Sequence, residues 1–287
     1  MAYGKSIELF LVNGTADSLI TAELSNWNGK ALKIPRIEVA SCSRDDIAQA
    51  GVYFLFCKED DGSDSVYIGE AENVKERLIQ HLRDYQVEKE KYYWNTAVIF
   101  VGRDLNKALI RYLENRLVEI ARNSKRYLVL TKNTYRNTVM KESQIAVMEE
   151  FIDNVKILIN TLGYKVLEPL LQASTDTTIP DEEELYICVG GTSATGIVTT
   201  EGFVVRKGSV VNEKTSAKSL SAGMAKLRDK LFADGKVENL ITTEDILFSS
   251  SSAAADFVLG YSVSGPRTWK TKNGRSLKDI EDSATIN

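Results

Sequence analysis

Cysteine is scarce: Cys42, Cys57 and Cys188 are the only three in 287 residues, and they lie far apart. That leaves no disulfide framework and no zinc-ligand spacing, and it predicts reduced thiols in a cytoplasmic protein. Positive charge is not in excess either. Against 36 Lys and Arg stand 40 Asp and Glu, a formal net charge of −4. This excludes a general DNA-coating protein, while a local basic patch can still bind nucleic acid. No apolar run approaches the roughly 20 residues of a membrane-spanning helix. The opening MAYGKSIELFLVNG has one Lys, a short apolar run and no small-residue cleavage pattern, so it reads as a strand and not a signal peptide. Internal repeats are absent.

The chain is organised around residues 51–82. Gly51-Val52-Tyr53 opens one short apolar run and Tyr67-Ile68-Gly69 closes a second. The acidic stretch from Lys58 to Ser65, which contains Gly62, separates them, as expected for a β-hairpin with a medium loop. The period then changes. From Glu72 on, Val74, Leu78, Leu82 and Tyr85 recur at helical spacing, which leaves Arg77 and His81 four apart on a neighbouring face.

This stretch resembles the GIY-YIG nuclease family, with Gly51-Val52-Tyr53 standing for the GIY element and Tyr67-Ile68-Gly69 matching YIG outright. The Arg of the following helix, a His one turn later and a Glu on a later helix extend the match over roughly 48–135. The resemblance implies a small α/β domain that cleaves phosphodiesters with a divalent metal, Mg2+ or Mn2+. It implies site residues Tyr53, Tyr67, Arg77, His81 and Glu114 on one concave surface, with Glu114 as the metal ligand. Each role has a chemical reason. A single carboxylate suffices for magnesium, which fills its shell with waters and substrate oxygens. A guanidinium forks onto phosphate oxygens. An imidazole or a cation-assisted phenol can take a proton, so either His81 or Tyr53 is the base. Read without the family, Glu114 is a helix carboxylate paired with Lys107 or Arg111, and the tyrosines are ordinary strand residues. The sequence departs from the family at Leu128, where members often carry Asn; Asn123 and Asn133 flank it.

Strand-like runs at 7–12, 18–23 and 31–39 form an N-terminal β extension laid against the nuclease-like domain, with Pro35 marking an edge strand or connection and Trp27 packing on the hairpins. A buried strand is expected at 97–101, a helix at 105–122 capped by Asp104 or Asn106, a strand at 127–131 and a long amphipathic helix at 143–162 stopped by Gly163. The polar LLQASTDTTIPDEEE, 170–184, ends acidic and marks the domain boundary.

Beyond it come strands near 185–189, 196–200 and 202–205, a helix at 217–232, and a Ser-capped helix ending at Gly260. Ser251-Ser252-Ala253-Ala254-Ala255 and Gly265-Pro266-Arg267-Thr268-Trp269-Lys270 resemble a small domain of unknown function attached to bacterial GIY-YIG domains. Arg267, Lys270, Lys272 and Arg275, with Trp269 among them, have the phosphate-plus-stacking composition of a nucleic-acid-binding segment.

The expectation is thus an α+β chain in four segments. Residues 1–46 are the β extension. Residues 47–170 are a GIY-YIG-like domain with a small antiparallel sheet and a trailing helix. Residues 171–184 are a linker, and 185–287 a smaller α+β domain that offers DNA or a protein partner a surface. The function implied is a metal-dependent DNA endonuclease of repair, restriction or mobile-element type. A binding module that keeps the fold with little catalysis is the alternative.

Overall fold

The computed structural model describes residues 3–59, 62–132, 139–169 and 184–285. All but the last residue of the expected linker 171–184, and Asn133, fall outside them. The chain divides into two compact units, Met1–Pro169 and Leu170–Asn287. No helix among the described residues is long and apolar enough to cross a membrane.

Unit 1 runs β1 (Ile7–Leu11), β2 (Ile20–Leu24), β3 (Gly29–Pro35), β4 (Gly51–Lys58), β5 (Asp64–Ala71), α1 (Val74–Gln86), β6 (Trp94–Gly102), α2 (Lys107–Ser124), β7 (Leu128–Val129) and α3 (Glu142–Thr161). The strands form one seven-stranded sheet in the order β1-β2-β3-β6-β4-β5-β7. Every pairing is antiparallel except β5 with β7. Side chains alternate along β4. Val52, Phe54 and Phe56 enter a core with α2 and α3, while Tyr53, Leu55 and Cys57 enter a second core with Val74 and Leu78 of α1. Every residue of β4 but Lys58 is therefore buried, as befits a strand covered on both faces.

The N-terminal segment is not a layer laid against this domain, as its sequence suggested. β1 to β3 extend the same sheet, and β3 lies directly beside β6, with Ala31, Leu32 and Ile34 fully buried. Pro35 is the last residue of this internal strand, where its missing N–H is tolerated, and the chain leaves through a 3-10 turn, Arg36–Glu38. Trp27 packs edge-on against Phe151 of α3, with centroids 4.9 Å apart.

Local chemistry fixes the helices. Asn73 caps α1 by accepting from Glu76 N–H, and Asn106 caps α2 by accepting from Ala108 and Leu109 N–H. α1 closes in a Schellman turn: Lys89 N–H bonds Asp84 C=O and Glu88 N–H bonds Tyr85 C=O, with Glu88 left-handed at φ 58°. Gly163, at φ 96°, follows α3.

Unit 2 comprises β8 (Leu185–Val189), β9 (Thr192–Thr199), β10 (Gly202–Val205), α4 (Ala222–Ala233), β11 (Val237–Glu238), β12 (Ile241–Thr242), β13 (Ile246–Phe248), α5 (Ser251–Leu259), α6 (Gly265–Thr268) and α7 (Leu277–Thr285). A four-stranded antiparallel sheet, β13-β10-β9-β8, packs with α5 around Phe203, Phe257 and Trp269. Arg228 of α4 is buried. Its guanidinium donates to the carbonyls of Phe257, in the last turn of α5, and Asn212, which suits a cation placed where a helix leaves carbonyls unmet. The whole is thus an α+β protein with a large mixed sheet and a smaller second sheet.

Candidate active site at the open edge of β5

The hairpin β4–β5 sets the first two groups. Tyr53 is paired with Gly69, and Leu55 with Tyr67. Paired residues share a face, so the two phenol rings lie diagonally on the α1 side, 6.3 Å apart and stacked. Both motif glycines are required by close approach. A Cβ at Gly69 would collide with the Tyr53 hydroxyl, and a Cβ at Gly51 with the Phe100 carbonyl of β6. Gly69 thus leaves the room in which the Tyr53 phenol lies across the neighbouring strand.

α1 supplies Arg77. Val74 and Leu78 point into the core, and Arg77, half-buried beside them, sits against both phenol oxygens. α2 packs on the opposite face of the sheet, yet its Glu114 reaches the same place. The reason is the edge of β5. β7 pairs only with Ser65 and Val66, and Thr131 then clasps Ile68 by its hydroxyl, donating to the carbonyl and accepting from the N–H. Past that clasp no described strand pairs with 69–71 on the side away from β4. A cavity of about 780 Å³ opens there, lined by Tyr53, Tyr67, Arg77 and Glu114.

The α2 side of the cavity carries further charge. Glu70 of β5 receives Lys107 Nζ at 2.8 Å, with Arg111 Nε at 3.9 Å. Lys107 thus forms its ion pair with Glu70, where the sequence offered it to Glu114. The Glu114 carboxyl is pushed up to about 7, by burial first and then by the neighbouring Glu70 charge, with Lys107, Arg111 and Arg77 opposing. Its Oε2 is buried and has no hydrogen-bond partner among the described residues. Glu114 lines the cavity, and a carboxylate with an oxygen left unpaired there fits a hard cation. Among the described residues no three potential ligands cluster. An ion here would take Glu114 together with waters and substrate oxygens, which is the habit of magnesium.

His81 does not line the cavity, contrary to the expectation that all five residues share one surface. It is fully buried behind Tyr53. Its Nε2 lies 2.9 Å from Tyr53 Oη and its Nδ1 lies 2.6 Å from Glu90 Oε1. The alternation of α1 explains this: position 81 continues the inward stripe of Val74 and Leu78, and Leu82 is only half-buried. A direct contact of His81 with a phosphate is excluded by this placement. Burial, then the Tyr67 charge, raises the Tyr53 phenol well above its ordinary range, with Arg77 opposing. Tyr67 is raised as well, again by burial and against Arg77.

Leu128, where the resemblance leads to the expectation of an Asn, is 60% exposed on β7, and Asn123 is exposed near the end of α2. Neither lines the cavity.

In unit 2 the basic run divides. Arg267, Lys270 and Lys272 line a shallow cavity of about 480 Å³ with Tyr186. Lys272 Nζ lies 5.8 Å from the centre of the Tyr186 ring. Arg275 is outside it, with Nη2 on Ser283 Oγ at 3.3 Å. Trp269 is no stacking platform: it is fully buried, 4.5 Å from Phe203 between centroids, with Nε1 donating to Ser251 C=O. Gly265 packs so tightly on the Ser251–Ser252 backbone that a Cβ would collide, and its N–H donates to Ser252 Oγ. The two sequence signatures of this unit therefore hold each other together.

Residues 185–281 match a domain of unknown function, DUF4357. No curated protein and no solved structure matches the chain. Glu70, Glu90 and Lys107 escaped the sequence reading as members of the site. Glu90 lies in the run Glu88-Lys89-Glu90-Lys91, where nothing in the spacing separates one carboxylate from the next. The left-handed Glu88 returns the chain towards His81.

Proposed function

We propose that unit 1 is a GIY-YIG-type, metal-dependent endonuclease acting on DNA phosphodiesters. The observation that carries this is the meeting of Tyr53, Tyr67 and Arg77 from one side of the sheet with Glu114 from the other, at the open edge of β5. Arg77 stays charged and binds the phosphoryl oxygens, offsetting the charge that builds in the transition state. Tyr67, beside it, places a further hydroxyl at the same oxygens. Tyr53 Oη orients the attacking water and takes its proton, passing its own to His81 Nε2. Glu114 would hold a magnesium or manganese ion, which supplies Lewis-acid stabilisation of the phosphoryl group and of the leaving oxygen.

The C-terminal unit, through Arg267, Lys270 and Lys272, would add phosphate contacts that an acidic chain otherwise lacks. Leu128 favours the second reading, a binding module with little catalysis, because it brings no polar group to the place where the family often has Asn. Nicking of supercoiled plasmid in Mg2+ or Mn2+ separates the two. The nuclease reading expects activity in the native chain that Arg77→Ala and Tyr53→Phe each reduce at least a hundredfold. Metal-independent nicking, or rates untouched by both changes, would reject it.

A further inference from the structure

The chain of hydrogen bonds behind the cavity has a third member. Glu90 comes from the turn after α1 and places Oε1 2.6 Å from His81 Nδ1, while Tyr53 Oη lies 2.9 Å from Nε2. His81 is completely enclosed. Tyr53 from β4 and Tyr67 from β5 cross its ring at centroid distances of 5.6 and 5.2 Å. Arg77 of its own helix sits beyond, against both phenols. Tyr92 stacks on Tyr67 and faces Glu90. A neutral imidazole has one donor and one acceptor nitrogen, and its neighbours decide which is which. A carboxylate only accepts, whereas a phenol can donate or accept. The pair of contacts therefore has one consistent direction: Nδ1–H donates to Glu90, and Nε2 accepts from Tyr53 O–H.

We propose that Glu90 is a positioning residue that holds His81 as the Nδ1–H tautomer, making Nε2 the proton acceptor for Tyr53. For a neutral ring beside a Glu90 carboxylate the tautomer follows from the geometry; its use in cleavage rests on the nuclease reading above. In that use, water loses a proton to Tyr53 Oη as the Tyr53 proton moves to Nε2. The water oxygen forms the new P–O bond, the ester P–O bond breaks, and the leaving oxygen is protonated from solvent. His81 becomes an imidazolium, and the Glu90 carboxylate faces the new positive charge. The logic is that of a carboxylate orienting a catalytic imidazole, with a phenol in the place of the usual nucleophile.

His81 is the only histidine in the chain, so histidine-selective 15N labelling of the full-length protein reports on this ring alone. The expected spectrum above pH 7 shows a protonated Nδ1 and an unprotonated Nε2. In Glu90→Gln, whose amide can donate as well as accept, the ring should lose that single tautomer. The rate of cleavage at saturating DNA should fall ten- to a hundredfold with DNA affinity unchanged, and Glu90→Asp should restore part of both. Thermal melts of each variant check that the fold persists. A protonated Nε2 in the native protein would overturn the proposal, and so would a Glu90→Gln protein that keeps both the native tautomer and the native rate. A native chain that shows the expected tautomer and never cleaves DNA would reject the nuclease reading and leave the role of Glu90 standing.

Discussion

At the scale of the residue, Glu114 links stability to the proposed chemistry. Its carboxyl is held at about 7 against an ordinary 4.5, with burial as the first cause. Below about 4.5 it is protonated in the folded and the unfolded chain alike. As pH rises towards 7 the unfolded chain ionises first, so the stability present at low pH is lost as pH passes through the folded value. Glu114→Gln, which stays neutral, should match the native protein at pH 4 and exceed it at pH 8 by on the order of 1–2 kcal/mol. Urea unfolding at the two pH values measures this, and equal stabilities at pH 8 would contradict it. Magnesium or manganese should raise the melting temperature of the native protein at pH 8 and not that of Glu114→Gln, because a ligand of the folded state stabilises it by mass action. Arg77 is the complementary case. It is half-buried, so Arg77→Ala should cost about 1 kcal/mol or less in stability, and a loss of several kcal/mol would make it a structural residue.

At the scale of the element, the two helices that carry the site are anchored by their inward stripes. Leu78 of α1 and Leu113 of α2 are fully buried, and Leu→Ala at either should cost about 2–5 kcal/mol in denaturant unfolding. The turn after α1 offers a finer test, since Glu88 occupies the left-handed region. Glu88→Gly should hold or gain up to about 1 kcal/mol, whereas Glu88→Val should lose about 1–2 kcal/mol. Much of this was legible beforehand. The hairpin, α1, α2 and α3 announce themselves by apolar period, α2 also by its cap, while Tyr53, Tyr67, Arg77 and Glu114 are picked out by the family resemblance. What the sequence could not show follows from its one-dimensionality. The stripe of α1 takes His81 inward where Leu82 looked the better core residue. Trp269, apparently available among cations, fills the core of unit 2. Glu90 reaches His81 only because the chain reverses at Glu88.

At the scale of the whole molecule, the sheet ignores the boundary expected near residue 46 between the β extension and the nuclease-like domain. β3 lies between β2 and β6 with a fully buried Leu32, so deleting 1–46 should abolish cooperative unfolding of unit 1. Each unit has its own apolar core, and a chain ending at residue 169 should fold alone and keep the labelled His81 spectrum of the full-length protein. The site itself joins two faces of one sheet around its open edge, with α1 supplying the guanidinium and α2 the carboxylate. That claim is met most directly by the rate of supercoiled-plasmid nicking in saturating Mg2+, native protein against Glu114→Ala, with DNA binding measured alongside. The expected result is a loss of at least a hundredfold in rate with binding preserved within a few-fold, because removing a carboxylate lowers repulsion towards phosphate while removing the proposed ligand of the ion. An undiminished rate in Glu114→Ala, with metal still required, would place the ion elsewhere and contradict the account.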